Sequence, residues 1–130
     1  MPFDSLGHIK MSVSDIEKSK RFYKEYFTKL KYLLVKETDS SAGWVSPQGF
    51  GFWIEEAQKK EPAHIFGTPG LHHVCFMLES EKEVDEIYEW LKDRGTSITD
   101  PPAHYPEYTE KYYAVFFFDP DGIKLEVTYY

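Results

Sequence analysis

Four side chains with metal-binding chemistry stand at comparable places in the two halves of this 130-residue chain: His8 and Glu55, then His73 and Glu126. Imidazole and carboxylate together suit Zn²⁺, Fe²⁺, Mn²⁺, Ni²⁺ or Co²⁺. Four such groups around an octahedral ion leave two positions for water or substrate. Taken singly, a strand histidine is more often a satisfied side chain beside the core, and a strand glutamate is usually solvated. What sets these four apart is that each half predicts the partner of the other. A carboxylate buried on an inward sheet face also needs a cation or hydrogen-bond donors to offset its desolvation.

The elements that position them are written twice. "GHIKMSVSDIEKSKRFYKEYF" and "LHHVCFMLESEKEVDEIYEWL" each read as a short apolar strand followed by a helix. Capping boxes are expected at Ser14 with Glu17 and at Ser80 with Glu83. Gly95 falls where the second helix needs a C-terminal cap. Strands are expected at "KYLLVKE", "GWVSP" and "GFWIEE", then at "SITD", "KYYAVFFF" and "GIKLEVTYY", with "FDPDG" as a tight turn. Both halves close on Gly-x-x-[Ile/Leu]-Glu, at Gly51–Glu55 and Gly122–Glu126. The expected fold is therefore α+β: two βαβββ modules, at 4–58 and 69–130, forming a curved mixed sheet with helices outside, as one domain over 1–130.

Strand alternation sorts the side chains. Ile9, Met11 and Val13 take the helix side, leaving His8, Lys10 and Ser12 on the open face. Phe52 and Ile54 face the helices, with Trp53 and Glu55 opposite. In the second half Val74, Phe76 and Leu78 oppose His73, Cys75 and Met77, and Leu125 and Val127 oppose Lys124, Glu126 and Thr128. Of the adjacent His72 and His73, alternation and the repeat both choose His73 as the open-face residue. Tyr23 and Tyr88 each follow His8 and His73 by 15 residues (23 − 8, 88 − 73).

Bulk properties narrow the partners. A net charge of −7 without a Lys/Arg block argues against nucleic acid. No apolar run approaches the roughly 20 residues that span a bilayer, and "MPFDSLGHIK" has no secretory pattern. The single cysteine, Cys75, rules out an internal disulfide and fits a reducing cytoplasm. It reads as a small buried filler.

The whole chain resembles the vicinal oxygen chelate superfamily of glyoxalase I, bleomycin-resistance proteins, fosfomycin-resistance enzymes and extradiol dioxygenases. The matching stretches are "GHIKMSVSDIEKSKRFYKEYF", "GLHHVCFML" and "FFFDPDGIKLEV". The resemblance implies paired βαβββ modules, a small-molecule substrate with vicinal oxygens, a divalent metal and a homodimer. The metal positions of glyoxalase I fall on His8, Glu55, His73 and Glu126, which points to a lyase or isomerase. Dioxygenases and fosfomycin-resistance transferases have two His and one Glu, here His8, His73 and Glu126, leaving Glu55 unexplained. A metal-free binding protein of the bleomycin-resistance type is the other alternative. An arginine of glyoxalase I that contacts glutathione has no counterpart in Lys10-Met-Ser12, which argues against glutathione.

Since four ligands exceed the three a catalytic metal requires, Glu126 or Glu55 is the expected catalytic base. Lys10, Trp44, Trp53, Tyr105 and Tyr113 are the expected substrate-binding residues. Phe50, Tyr108 and Tyr112 belong to the same aromatic set, which would alternatively fill a dimer interface. "PPAHYPEYTEKYY" is a candidate lid. His64 and His104 read as loop residues without a direct role.

Overall fold

A computed structural model describes residues 5–130; the expected start of the first module at residue 4 lies outside them. The elements run β1 (His8–Val13), α1 (Ile16–Lys29), β2 (Leu33–Glu37), β3 (Ser41–Val45), β4 (Gly51–Glu56), β5 (Val74–Met77), α2 (Glu81–Asp93), β6 (Ile98–His104), β7 (Tyr113–Phe118) and β8 (Lys124–Tyr129). They fall into two compact units, the first ending at Ala63 and the second running His64–Tyr130. Each unit is a βαβββ module carrying its own four-stranded mixed sheet, ordered β1-β4-β3-β2 and β5-β8-β7-β6. In both, the first strand lies parallel to the fourth and the other pairs are antiparallel.

The first helix starts one residue later than expected. Asp15, not Ser14, is its N-cap, and its carboxylate accepts from Lys18 N–H at 3.1 Å. Ser80 does cap α2, taking Glu83 N–H at 3.2 Å. The Glu83 carboxylate closes on Glu79 N–H, at 2.8 Å, rather than on its cap residue. Both helices end in Schellman motifs. In α2, Gly95 holds the left-handed position at φ 72°, with Thr96 N–H reaching Leu91 O. In α1 that position falls to Lys31 at φ 63°, with Tyr32 N–H reaching Phe27 O.

The cores differ in chemistry. Helix α1 buries Phe22, Tyr23, Tyr26 and Phe27, and the rings of Tyr23 and Phe27 pack against Trp44 and Phe52 of the sheet. Helix α2 buries Val84, Ile87 and Leu91, and β7 and β8 of its sheet bury Val115, Phe117, Leu125 and Val127. Among the described residues no helix is long and apolar enough to cross a membrane.

One expected loop is partly strand. β6 continues through Pro101, Pro102 and Ala103 to His104, so the proposed lid shrinks to 105–112. Proline is tolerated there because β6 is an edge strand with irregular register beside the prolines. The remaining turn is tied down by Tyr105 N–H to Tyr112 O at 2.9 Å and Tyr108 N–H to Tyr105 O at 3.0 Å.

Candidate active site

In the second unit the site is built around Glu126. Its strand enters through the 119–122 turn. There Asp119 Oδ1 accepts from the N–H groups of Asp121 and Ile123 at 2.8 and 2.9 Å, and Gly122 takes φ 78°. That turn fixes the register of β8, placing Glu126 beside Cys75 of β5 and Phe116 of β7 on the face away from α2. Glu126 is 2% exposed. A carboxylate this buried needs partners for both oxygens. His73 Nε2 lies 2.9 Å from Oε2, and the Tyr112 hydroxyl donates a hydrogen bond to Oε1. Desolvation and this bond push the Tyr112 phenol up, so it remains a donor throughout the neutral range.

Around this pair lie aromatic rings. His73 meets Phe116 edge-on, Tyr105 stands on Phe116 and stacks on Tyr108, and Tyr112 stacks on Tyr130. Burial pushes the Tyr105 phenol up as well. Cys75 departs from expectation: it is exposed on the open face rather than buried filler. The atoms packed about its sulfur, and then the Glu126 carboxylate, push its thiol up to about 12. A thiol so raised is a poor nucleophile at neutral pH.

In the first unit the open face carries His8, Lys10, Trp53 and Glu55. Lys10 Nζ pairs with Glu55 Oε1 at 3.3 Å, and the Glu55 side chain is 46% exposed. The Trp53 indole lies flat across Gly43 of the neighbouring strand; a Cβ at Gly43 would come within 2.2 Å of the ring. Gly51 is similarly bare beside the Trp53 Nε1 and His8. These two glycines are the sequence signal for an indole laid across the neighbouring strands.

The strand registers revise the internal repeat. The N-caps Asp15 and Ser80 are 65 residues apart (80 − 15), the same interval as His8 and His73. Ile9 pairs with Phe52, while Val74, its equivalent, pairs with Leu125. Those partners differ by 73 (125 − 52), not by the 71 that separates Glu55 from Glu126. The residue that stands to His8 as Glu126 stands to His73 is therefore Trp53 (126 − 73). The Gly-x-x-[Ile/Leu]-Glu motifs look alike in sequence but lie two residues out of step in the sheets.

Two expected substrate residues lie on the helix side. Trp44 is 2% exposed and packs on Tyr23 and Phe27. Tyr113 donates its hydroxyl to Asp85 of α2 at 2.7 Å, a bond that pushes the phenol up to about 12. The tyrosine that reaches Glu126 is its neighbour, Tyr112. His104, expected in a loop, ends β6, packs its ring at a tilt against Tyr113 and sits 3.7 Å from Glu81. Lys10, Trp53 and Tyr105 are on open faces. Among the described residues no group of three or more His, Cys, Asp or Glu side chains is placed to hold a metal ion.

The family model of the glyoxalase/bleomycin resistance protein/dioxygenase superfamily matches residues 5–127. The chain belongs to this superfamily. It is 33% identical to the YqjT protein of Bacillus subtilis, over 94% of this chain and 96% of that one. It is 32% identical to the metallothiol transferase FosB of Staphylococcus saprophyticus, over 95% of this chain and 75% of that one. A crystal structure of a putative glyoxalase from Bacillus halodurans superposes with a TM-score of 0.84 at 24% identity, covering 97% of this chain and 96% of the other. That likeness speaks for the fold.

Proposed function

We propose that this protein is a divalent-metal enzyme of the superfamily, acting on a small substrate through two adjacent oxygens, with His8, His73 and Glu126 as metal ligands. The observation that carries the reading is the His73–Glu126 pair, a carboxylate 2% exposed with an imidazole nitrogen 2.9 Å away. Nitrogen and oxygen donors of this kind fit Zn²⁺, Mn²⁺, Fe²⁺, Co²⁺ or Ni²⁺. When bound, such an ion polarises the substrate oxygens and stabilises developing negative charge.

The chain's own residues supply the rest. Tyr112 fixes one Glu126 oxygen and leaves the other to the ligand position. Trp53, pressed flat on Gly43, offers an apolar platform on its sheet face. Lys10 neutralises Glu55 on that face, which weighs against Glu55 as an anionic ligand. With Trp53 in register where a fourth ligand would stand, three protein ligands are favoured over four. The FosB relatives are named metallothiol transferases, so thiol transfer is the first reaction to assay. A homodimer is expected from the family resemblance.

A lyase or isomerase using all four ligands, with Glu55 or Glu126 as base, is the second reading; the shared open face of His8 and Glu55 favours it. Protein purified without chelator should carry stoichiometric metal and melt at higher temperature with added Zn²⁺, Mn²⁺ or Ni²⁺. Metal-free protein with no thermal response to any of them contradicts the enzyme reading and favours a binding protein. Glu55→Gln separates the two enzyme readings: three ligands predict retained metal and turnover, four predict loss of both.

A further inference from the structure

His72 is expected on the helix side or at the entry to the strand. The structure gives the second: His72 lies two residues before β5, which begins at Val74, so the strand pleat does not orient it. Its ring swings alongside that of its neighbour, and His72 Nδ1 lies 2.7 Å from His73 Nδ1. The Phe66 ring backs it at 4.9 Å, while the His72 side chain remains exposed.

Two imidazole nitrogens at this distance share one proton: one ring donates and the other accepts. With His73 Nε2 directed at the Glu126 carboxylate, that nitrogen carries the proton of neutral His73. Its Nδ1 is then an acceptor, and His72 donates. To offer the Nε2 lone pair to a metal, His73 must instead carry its proton on Nδ1 and needs an acceptor there. His72 Nδ1 is the group in place.

We propose that His72 is a positioning residue that holds His73 in the metal-ligating tautomer. This rests on the reading above that His73 binds metal through Nε2. The switch balances without net charge: the shared proton passes from His72 to His73, His73 Nε2 loses a proton to solvent, and His72 Nε2 gains one. The exposure of His72 leaves its Nε2 open to that exchange with water.

Two variants of the full chain test the role. His72→Phe keeps a ring against Phe66 but has no acceptor; His72→Asn supplies an amide oxygen near the place of Nδ1. Zn²⁺ affinity is measured by competition with a chromophoric chelator, and the His73 tautomer by long-range ¹H–¹⁵N spectra of the Zn²⁺-loaded protein. We expect His72→Phe to weaken binding about 10-fold or more, and His72→Asn to restore most of it. Wild type and His72→Asn should show the proton on His73 Nδ1. If wild type binds Zn²⁺ and His72→Phe binds equally well, the positioning role is overturned and the metal reading stands. If wild type does not bind Zn²⁺, the metal reading falls and the role with it.

Discussion

On the open face of the first unit a cation and a carboxylate meet in solvent; on that of the second a carboxylate is buried between an imidazole and a phenol. Lys10 and Glu55 have side chains 52% and 46% exposed, where an ion pair contributes little and salt screens it. Glu126 lies between His73 and Tyr112 with almost no solvent contact. The contrast runs through the scaffold. Aromatic rings fill the first core and mainly aliphatic side chains the second, and a lysine closes the first helix where a glycine closes the other. Two modules with one topology therefore differ at their open faces: the second buries a carboxylate between two donors, while the first carries an exposed ion pair and the Trp53 indole.

The largest stability contrast should come from the cores. Trp44→Ala removes a ring wedged among Tyr23, Phe27 and Phe52 and should cost about 3–5 kcal/mol in denaturant unfolding. Ile87→Val, beneath α2, should cost about 0.5–1.5 kcal/mol. Equal losses would show that the two cores do not differ as described.

Next is the indole platform. Gly43→Ala drives a methyl group into the Trp53 ring and should cost about 1–3 kcal/mol, as overpacking does. The shift of Trp53 fluorescence that accompanies it is absent if the indole does not lie on Gly43.

The helix ends give a smaller and opposite pair. Gly95→Ala should destabilise by about 1 kcal/mol, since φ 72° disfavours a side chain. Lys31→Gly should stabilise by about 0.5–1 kcal/mol, because it relieves the same conformation in α1. Thermal midpoints moving in opposite directions support the comparison; both moving down contradicts it.

The last contrast is chemical. At pH 8 Cys75 should alkylate with iodoacetamide more than about tenfold more slowly than free cysteine, because its thiol is pushed up to about 12. Glu126→Gln should speed the reaction, since the carboxylate is one cause of the raised value.

Much of this was legible in the sequence because alternation and capping are local. His73 on the open face, Ser80 and Gly95 at the ends of α2, and the 119–122 turn follow from residues within a few positions of one another. Register was not legible, since it is set between strands. The likeness of Gly51–Glu55 to Gly122–Glu126 concealed a two-residue offset that hydrogen bonding alone reveals. Tyr112 and Tyr113 part for the same reason: alternation separates neighbours, but only the pairing of β7 with β8 says which one faces α2. Trp44 shows composition overreaching, for a tryptophan suits a buried core as well as a pocket.

The central claim, that His73 and Glu126 are metal ligands and that Glu55 is not, is tested most directly by titrating wild type, Glu126→Gln and Glu55→Gln with Co²⁺ and following its visible absorption. The account predicts stoichiometric binding by wild type, a loss of about 100-fold or more in Glu126→Gln and less than about tenfold in Glu55→Gln. Equal losses in the two variants, or a Co²⁺ spectrum unchanged by Glu126→Gln, would contradict it.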